Sequence, residues 1–195
     1  MNYIVILDNG HGIDTPGKRS PMWPDGSQLF EYEFNRDIVR RISDKLNKES
    51  ISHYILVPET IDISLSERIK RANAITKEYE GQSFLISIHA NAGGGTGWEV
   101  YTSPGRTSSD TIATTFFKEF EQEFAPEGWR MRSDYSDGDP DKEDNFAILT
   151  RTTCPAILTE NFFMDTEEDC RMLMSEEGRE RIANAHVNAI KRVIL

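Results

Sequence analysis

Four histidines are spread along the 195 residues of this chain, and two of them stand in unusual company. His11 lies in the segment DNGHG, directly after the apolar run YIVIL, and His89 lies in SIHAN, directly after FLI. A third apolar run, PAILT at 155 to 159, leads straight into Glu160. Each nitrogen of an imidazole that leaves water needs a polar partner, so a histidine closing a buried strand is costly unless something binds it. Two imidazoles and a carboxylate are the donor set of a catalytic zinc site, which keeps its fourth position open. A second carboxylate beside such a site is a candidate proton carrier.

The residues around these histidines leave the carboxylate ligand undecided. Glu31 and Glu33 both stand at the start of a helical pattern in which Phe34, Ile38 and Ile42 recur at four-residue steps. Glu31 shares a face with Asn35, four residues on, and a right-handed crossover from the first strand brings that face near the strand ends. Spacing alone does not separate Glu31 from Glu33. Asp8 and Asn91 flank the two histidines as candidates for orienting them from behind. Gly10 and Gly12 bracket His11 and are expected to supply the tight turn that swings its ring over the sheet edge.

These groups need a scaffold that gathers strand ends, and the hydrophobic pattern supplies one. The runs at 3 to 7, 84 to 88 and 155 to 159, with a fourth at 54 to 57, are apolar on both alternating faces, as interior strands covered on both sides require. Helical patterns separate them: one from about Glu31, one from Leu65 to Glu80 opened by a Ser64 to Glu67 capping box, one over 110 to 124, and one over 178 to 194. WEVYT at 98 to 102 alternates like a further strand, while 14 to 28 and the acidic stretch 133 to 144 read as loops. The order predicts a single α/β domain over residues 1 to 195, a three-layer arrangement with helices on both faces of a mostly parallel sheet. Ligands in such sheets bind outside the carboxyl ends of the strands, where His11, His89 and Glu160 fall.

Composition excludes several classes of function. A net charge of -11 argues against nucleic acid and anionic membranes as partners. Two cysteines, Cys154 and Cys170, are too few for a disulfide framework and match no zinc or redox spacing, so both are expected to be structural. The segment MNYIVILDNGHG has neither a basic n-region nor an apolar run long enough to span a bilayer, so neither a signal peptide nor a membrane anchor is expected and synthesis in the cytoplasm is. His186 falls on the apolar stripe of the last helix and reads as a core histidine, and His53 as a solvated one. The acidic stretch fails the EF-hand template, because Lys142 stands where the loop glycine belongs after Asp137, Asp139 and Asp141, and reads as a solvated loop. Trp23, Trp98 and Trp129 suit core packing better than a sugar groove.

The segments DNGHG, EYEFN, ISLSERIKRAN, SIHANA, GWEVY and LTRTTCPAILTENFFMD occur in the order and approximate spacing of the zinc-dependent N-acetylmuramoyl-L-alanine amidases, and the resemblance spans nearly the whole chain. It implies a phosphorylase/hydrolase-like fold, Zn2+ held by His11, Glu31 and His89, and Glu160 as the catalytic carboxylate, which decides between Glu31 and Glu33. It also implies peptidoglycan as the substrate, cut at the amide between N-acetylmuramic acid and L-alanine. Arg68 and Asn73 match family positions, although helix packing explains them equally well. Asn9 stands where the family commonly has proline. No long helical insertion follows SIHANA, so self-blocking by such a helix is not expected, and no wall-binding repeat is recognised. The expected setting is the cell wall, reached either after release, as by a phage or prophage lysin, or by a bacterial enzyme exported along another route, and the sequence favours neither. Two alternatives stay open: a zinc carboxypeptidase or deacylase on the same sheet, and a catalytically inactive wall-binding relative.

Overall fold

Five-residue apolar runs need covering on both sides, and the sheet provides it. The computed structural model describes residues 3 to 194. Strands β1 (Ile4–Asn9), β2 (His53–Ile55), β3 (Ser83–Asn91), β4 (Glu99–Thr102), β5 (Lys142–Glu143) and β6 (Ala156–Phe163) form one sheet of order β2-β1-β3-β6-β4-β5. All neighbours run parallel except β4 against β6, so the sheet is mixed but mostly parallel, as expected. Helices α1 (Glu31–Lys48), α3 (Ser108–Phe124), α5 (Glu167–Met174) and α6 (Glu176–Ile194) cover one face. Helices α2 (Leu65–Glu78) and α4 (Ala147–Thr150) cover the other. The described residues thus form one three-layer α/β domain, and no helix among them is long and apolar enough to cross a membrane.

The two faces follow from strand periodicity. Along β3, Phe84, Ile86, Ile88 and Ala90 point into the larger core with Phe34, Ile38 and Ile42 of α1. Leu85, Ser87 and His89 point to the opposite face, where α2 and α4 pack. Each fully buried aliphatic side chain of α1 contributes about 1.5–3 kcal/mol, which anchors the helix and fixes where its first residue, Glu31, projects. Trp98 is fully buried and stacks on Phe120 with ring centroids 4.1 Å apart, so it belongs to the core as expected.

Several boundaries differ from the sequence reading, each for a local reason. The strand expected over 54 to 57 is His53–Ile55, and Pro58 restricts the backbone of Val57 just beyond it. Strands β1, β3 and β6 run on past their apolar residues, so Asp8, His89 and Glu160 lie inside strands and not after them. The backbone ladder pairs regardless of side-chain polarity, and His89 pairs with Glu160 before a register irregularity ends the regular pairing at Asn91. Ser64 caps α2 by accepting from the Glu67 N–H, but the Glu67 carboxylate turns to Arg71 instead of closing the expected box. A capping box does form at α3, between Thr107 and Asp110. Helices α4 and α5 are too short to show a period in the sequence.

Candidate active site

The turn after β1 carries His11, and it is built by contacts from three elements. Its backbone has φ 62°, in the left-handed region, whereas Gly10 and Gly12 do not have positive φ. The expectation that the glycines supply the unusual backbone is therefore corrected: the histidine itself adopts it, at some cost in strain. The glycines are needed for space. A Cβ on Gly10 would stand 2.1 Å from Cε1 of His89, and one on Gly12 would stand 2.0 Å from the backbone nitrogen of Asp62. The strained turn is held by Asn35, whose Nδ2 donates to Gly10 O at 3.0 Å, and by Arg36, whose Nη1 donates to His11 O at 2.9 Å.

Glu31 meets both histidines. Its Oε1 lies 3.4 Å from Nε2 of His11 and 3.1 Å from Nδ1 of His89, and the two rings meet edge to face with centroids 4.9 Å apart. Donor atoms of these three side chains all lie within 4.8 Å of one another. Glu31 is 1% exposed, sits in the first turn of α1 where the helix dipole favours a carboxylate, and also accepts from the Ala90 N–H. Glu33 is exposed and accepts from the Tyr32 hydroxyl, away from the histidines. Geometry therefore brings Glu31, and not Glu33, to the two imidazoles.

The electrostatics of this trio call for a positive charge between its members. Burial opposes the charge of Glu31, yet hydrogen bonds from His11 and His89 outweigh it and hold the carboxylate well below the usual range. Burial likewise opposes protonation of His89, yet Glu31 beside it raises its proton affinity overall. Oε2 of Glu31 is buried with no hydrogen-bond partner among the described residues, and Lys18 Nζ approaches it only to 3.8 Å. An orphaned carboxylate oxygen and two inward imidazole nitrogens fit a divalent cation such as zinc.

Glu160 lies beside His89 in the ladder and lines the same cavity of about 460 Å3, together with His11, Asp62, Leu65, Phe146 and Leu158. Burial first, and the charges of Glu31 and Glu99 after it, push Glu160 up to about 7 against the opposing field of His89. Its Oε2 has no hydrogen-bond partner among the described residues, so the carboxyl is free to meet a bound molecule.

The two flanking candidates act less directly than expected. Asp8 touches neither histidine: it accepts from Arg68 at 2.6 Å and from Ser87 Oγ at 2.6 Å, and Arg68 in turn donates to the carbonyls of Asn9 and His11. Asn91 donates to Glu99 at 2.6 Å, and its side chain makes no hydrogen bond to the three clustered residues among those described. Glu99 was not anticipated, although the alternation of WEVYT places Glu99 and Tyr101 on one face and so marks a glutamate in a strand that packs. It is 2% exposed, faces Glu160 across β4 and β6, and accepts from Asn91, Tyr101, Arg132 and Lys142. Burial opposes its charge, and Lys142 and Arg132 overcome this and keep it ionised.

The remaining candidates take structural places. His186 is fully buried, bonded to Thr159 Oγ1 and Ile182 O, and burial pushes it down to about 4. His53 is half-buried, and both ring nitrogens meet partners, Ser43 Oγ and Ile51 O, so it is bonded and not merely solvated. Cys154 and Cys170 are buried free thiols. Asn73 ties α2 to the backbone of Arg151 and Thr153. The acidic loop is exposed over most of its length, but Asp141 is only 3% exposed and accepts from Thr102. That residue departs from the expected solvated loop because β5 draws it against β4.

Comparison with known proteins agrees with this geometry. A family model described as N-acetylmuramoyl-L-alanine amidase matches residues 5–192. A sporulation-specific N-acetylmuramoyl-L-alanine amidase of Bacillus subtilis is 31% identical over 193 residues, covering 96% of this chain and 67% of the relative. The endolysin of Bacillus phage SPP1 is 27% identical, covering 100% of this chain and 67% of the endolysin. The crystal structure of an N-acetylmuramoyl-L-alanine amidase from Clostridium difficile superposes with a TM-score of 0.84 at 26% identity, covering 100% of this chain and 98% of that one.

Proposed function

The chain belongs to the N-acetylmuramoyl-L-alanine amidase family, and we propose that it severs peptidoglycan stem peptides with a zinc ion held by His11, Glu31 and His89 and with Glu160 as proton carrier. The bond cut is the amide joining the lactyl group of N-acetylmuramic acid to L-alanine, and the place of action is the cell wall. The observation that carries this reading is the meeting of three donor side chains, from the turn after β1, from α1 and from β3, with the second carboxylate oxygen of Glu31 left without a partner among the described residues and with Glu160 on the adjacent strand.

A zinc ion bound there would acidify a water molecule toward neutrality and polarise the scissile carbonyl. The protein's own groups do the rest. Glu160, with one oxygen unpartnered beside the cluster, takes the proton of the attacking water and returns it to the departing nitrogen of L-alanine. Asn35, Arg36 and Arg68 hold the backbone of the His11 turn, so the imidazole keeps its aim as the substrate enters. Asn161 Nδ2 donates to His89 O at 2.9 Å and fixes the second histidine in the same way. The apolar walls at Leu65, Phe146 and Leu158 exclude water from one side of the reacting bond.

Digestion of purified peptidoglycan tests the reading. Free stem peptides bearing an L-alanine amino terminus are the expected product. Release of a terminal amino acid with the lactyl amide intact would instead identify a carboxypeptidase.

A further inference from the structure

Next to Glu160 the groove floor carries a cationic hub whose hydrogen bonding is unfinished. Glu99 is opposite Glu160 in the antiparallel ladder, so both side chains rise from the same face. Four donors converge on Glu99: Asn91 and Tyr101 on Oε1 at 2.6 and 3.0 Å, and Arg132 Nε and Lys142 Nζ on Oε2 at 2.5 Å each. Glu99 is thereby saturated. Arg132 is not, since Nη1 and Nη2 make no hydrogen bond among the described residues while its side chain stays 25% exposed.

The position of that guanidinium is set by its surroundings. Its Cζ lies over the Phe163 ring, 5.0 Å from the centroid, and its backbone N–H donates to Trp98 O at 2.9 Å. Lys142, 23% exposed and over the Tyr101 ring, adds a second cation on the same oxygen of Glu99. Tyr101 packs against Phe146, which lines the cavity beside Glu160, so the hub continues the cavity floor. A fork with two unused nitrogens, placed over an aromatic ring, matches a carboxylate and matches an amide poorly.

Resting on the amidase reading, we propose that Arg132, positioned by Glu99 and assisted by Lys142, binds the free carboxylate of the residue that follows L-alanine in the stem peptide. The connectivity suits this, because the guanidinium is bonded to Glu99, the cross-strand neighbour of Glu160, and so is held one strand over from the proposed proton carrier. The subsite thus makes the enzyme selective for stems with a free acid at the second position over stems amidated there.

The test uses two muropeptides that differ only in carrying D-isoglutamate or D-isoglutamine after L-alanine. The zinc-loaded wild-type enzyme is expected to favour the acid by roughly tenfold or more in kcat/KM, expressed mainly in KM. Arg132→Gln should abolish the preference, and Arg132→Lys, which keeps the charge and loses the fork, should restore only part of it. Isothermal titration with the two product dipeptides provides a second readout that needs no turnover, and the same ranking is expected there. A wild type that treats acid and amide alike, or an Arg132→Gln variant that keeps the preference in a folded state, overturns the subsite while leaving the amidase reading intact. No turnover of either muropeptide overturns the amidase reading and the subsite with it.

Discussion

A Cβ built on Gly10 would stand 2.1 Å from Cε1 of His89, so the turn that aims one histidine is also the lid against which the other is packed. The two imidazoles come from distant parts of the sequence, yet neither can be placed without the other.

Gly10→Ala therefore displaces the His89 ring without replacing any proposed ligand. The variant is expected to fold, to bind zinc about 10–100-fold more weakly, and to lose activity accordingly. Competition with a zinc-binding dye measures the affinity. Wild-type affinity in a folded Gly10→Ala protein would mean that the ring is free to move aside.

Glu160→Gln removes the proton carrier and keeps the shape of the side chain. Zinc stoichiometry should stay at that of the wild type while kcat falls by roughly 100- to 10,000-fold. A near-wild-type rate would assign the proton transfer to another group.

Arg68 and Asp8 form an ion pair at 2.6 Å with both side chains 3% exposed. Arg68→Ala leaves a buried carboxylate without its partner, which costs about 3–5 kcal/mol. In a chain of this size that lowers Tm by roughly ten degrees, readable by calorimetry. Replacing Asn73, whose contacts are exposed, should shift Tm by only a small fraction of that.

Asp141 makes stability depend on pH in an unusual direction. Burial first, and then the neighbouring Asp139 carboxyl, push Asp141 up to about 7. The folded chain thus keeps a proton that the unfolded chain releases near pH 4. Stability from this group is full below pH 4 and is lost as pH rises toward 7, by about 1–2 kcal/mol once screening at the loop surface is allowed for. Asp141→Asn should flatten Tm against pH across that window. An unchanged slope would place the titration elsewhere.

The sequence announces the fold through its apolar runs, because a strand covered on both faces has to be apolar on both, and β1, β3 and β6 are. It announces His11, His89 and Glu160 for the complementary reason: a titratable group at the end of such a run contradicts its surroundings. Glu31 is legible only as one of two, since helix periodicity gives a face and not a depth, and the burial of Phe34 and Ile38 is what turns Glu31 inward. Glu99 is only half legible: the alternation of its short strand gives it a face, but its burial depends on Arg132 and Lys142, which arrive from a loop and an edge strand. The left-handed backbone of His11 was equally hidden, for two flanking glycines invite the wrong assignment of the strain.

Native mass spectrometry of the zinc-loaded chain beside its Glu31→Ala variant, after both are dialysed against metal-free buffer, weighs the bound ion directly. One zinc per wild-type chain and none in the folded variant is the predicted result. A single zinc retained equally by both proteins would contradict the proposed ligand set.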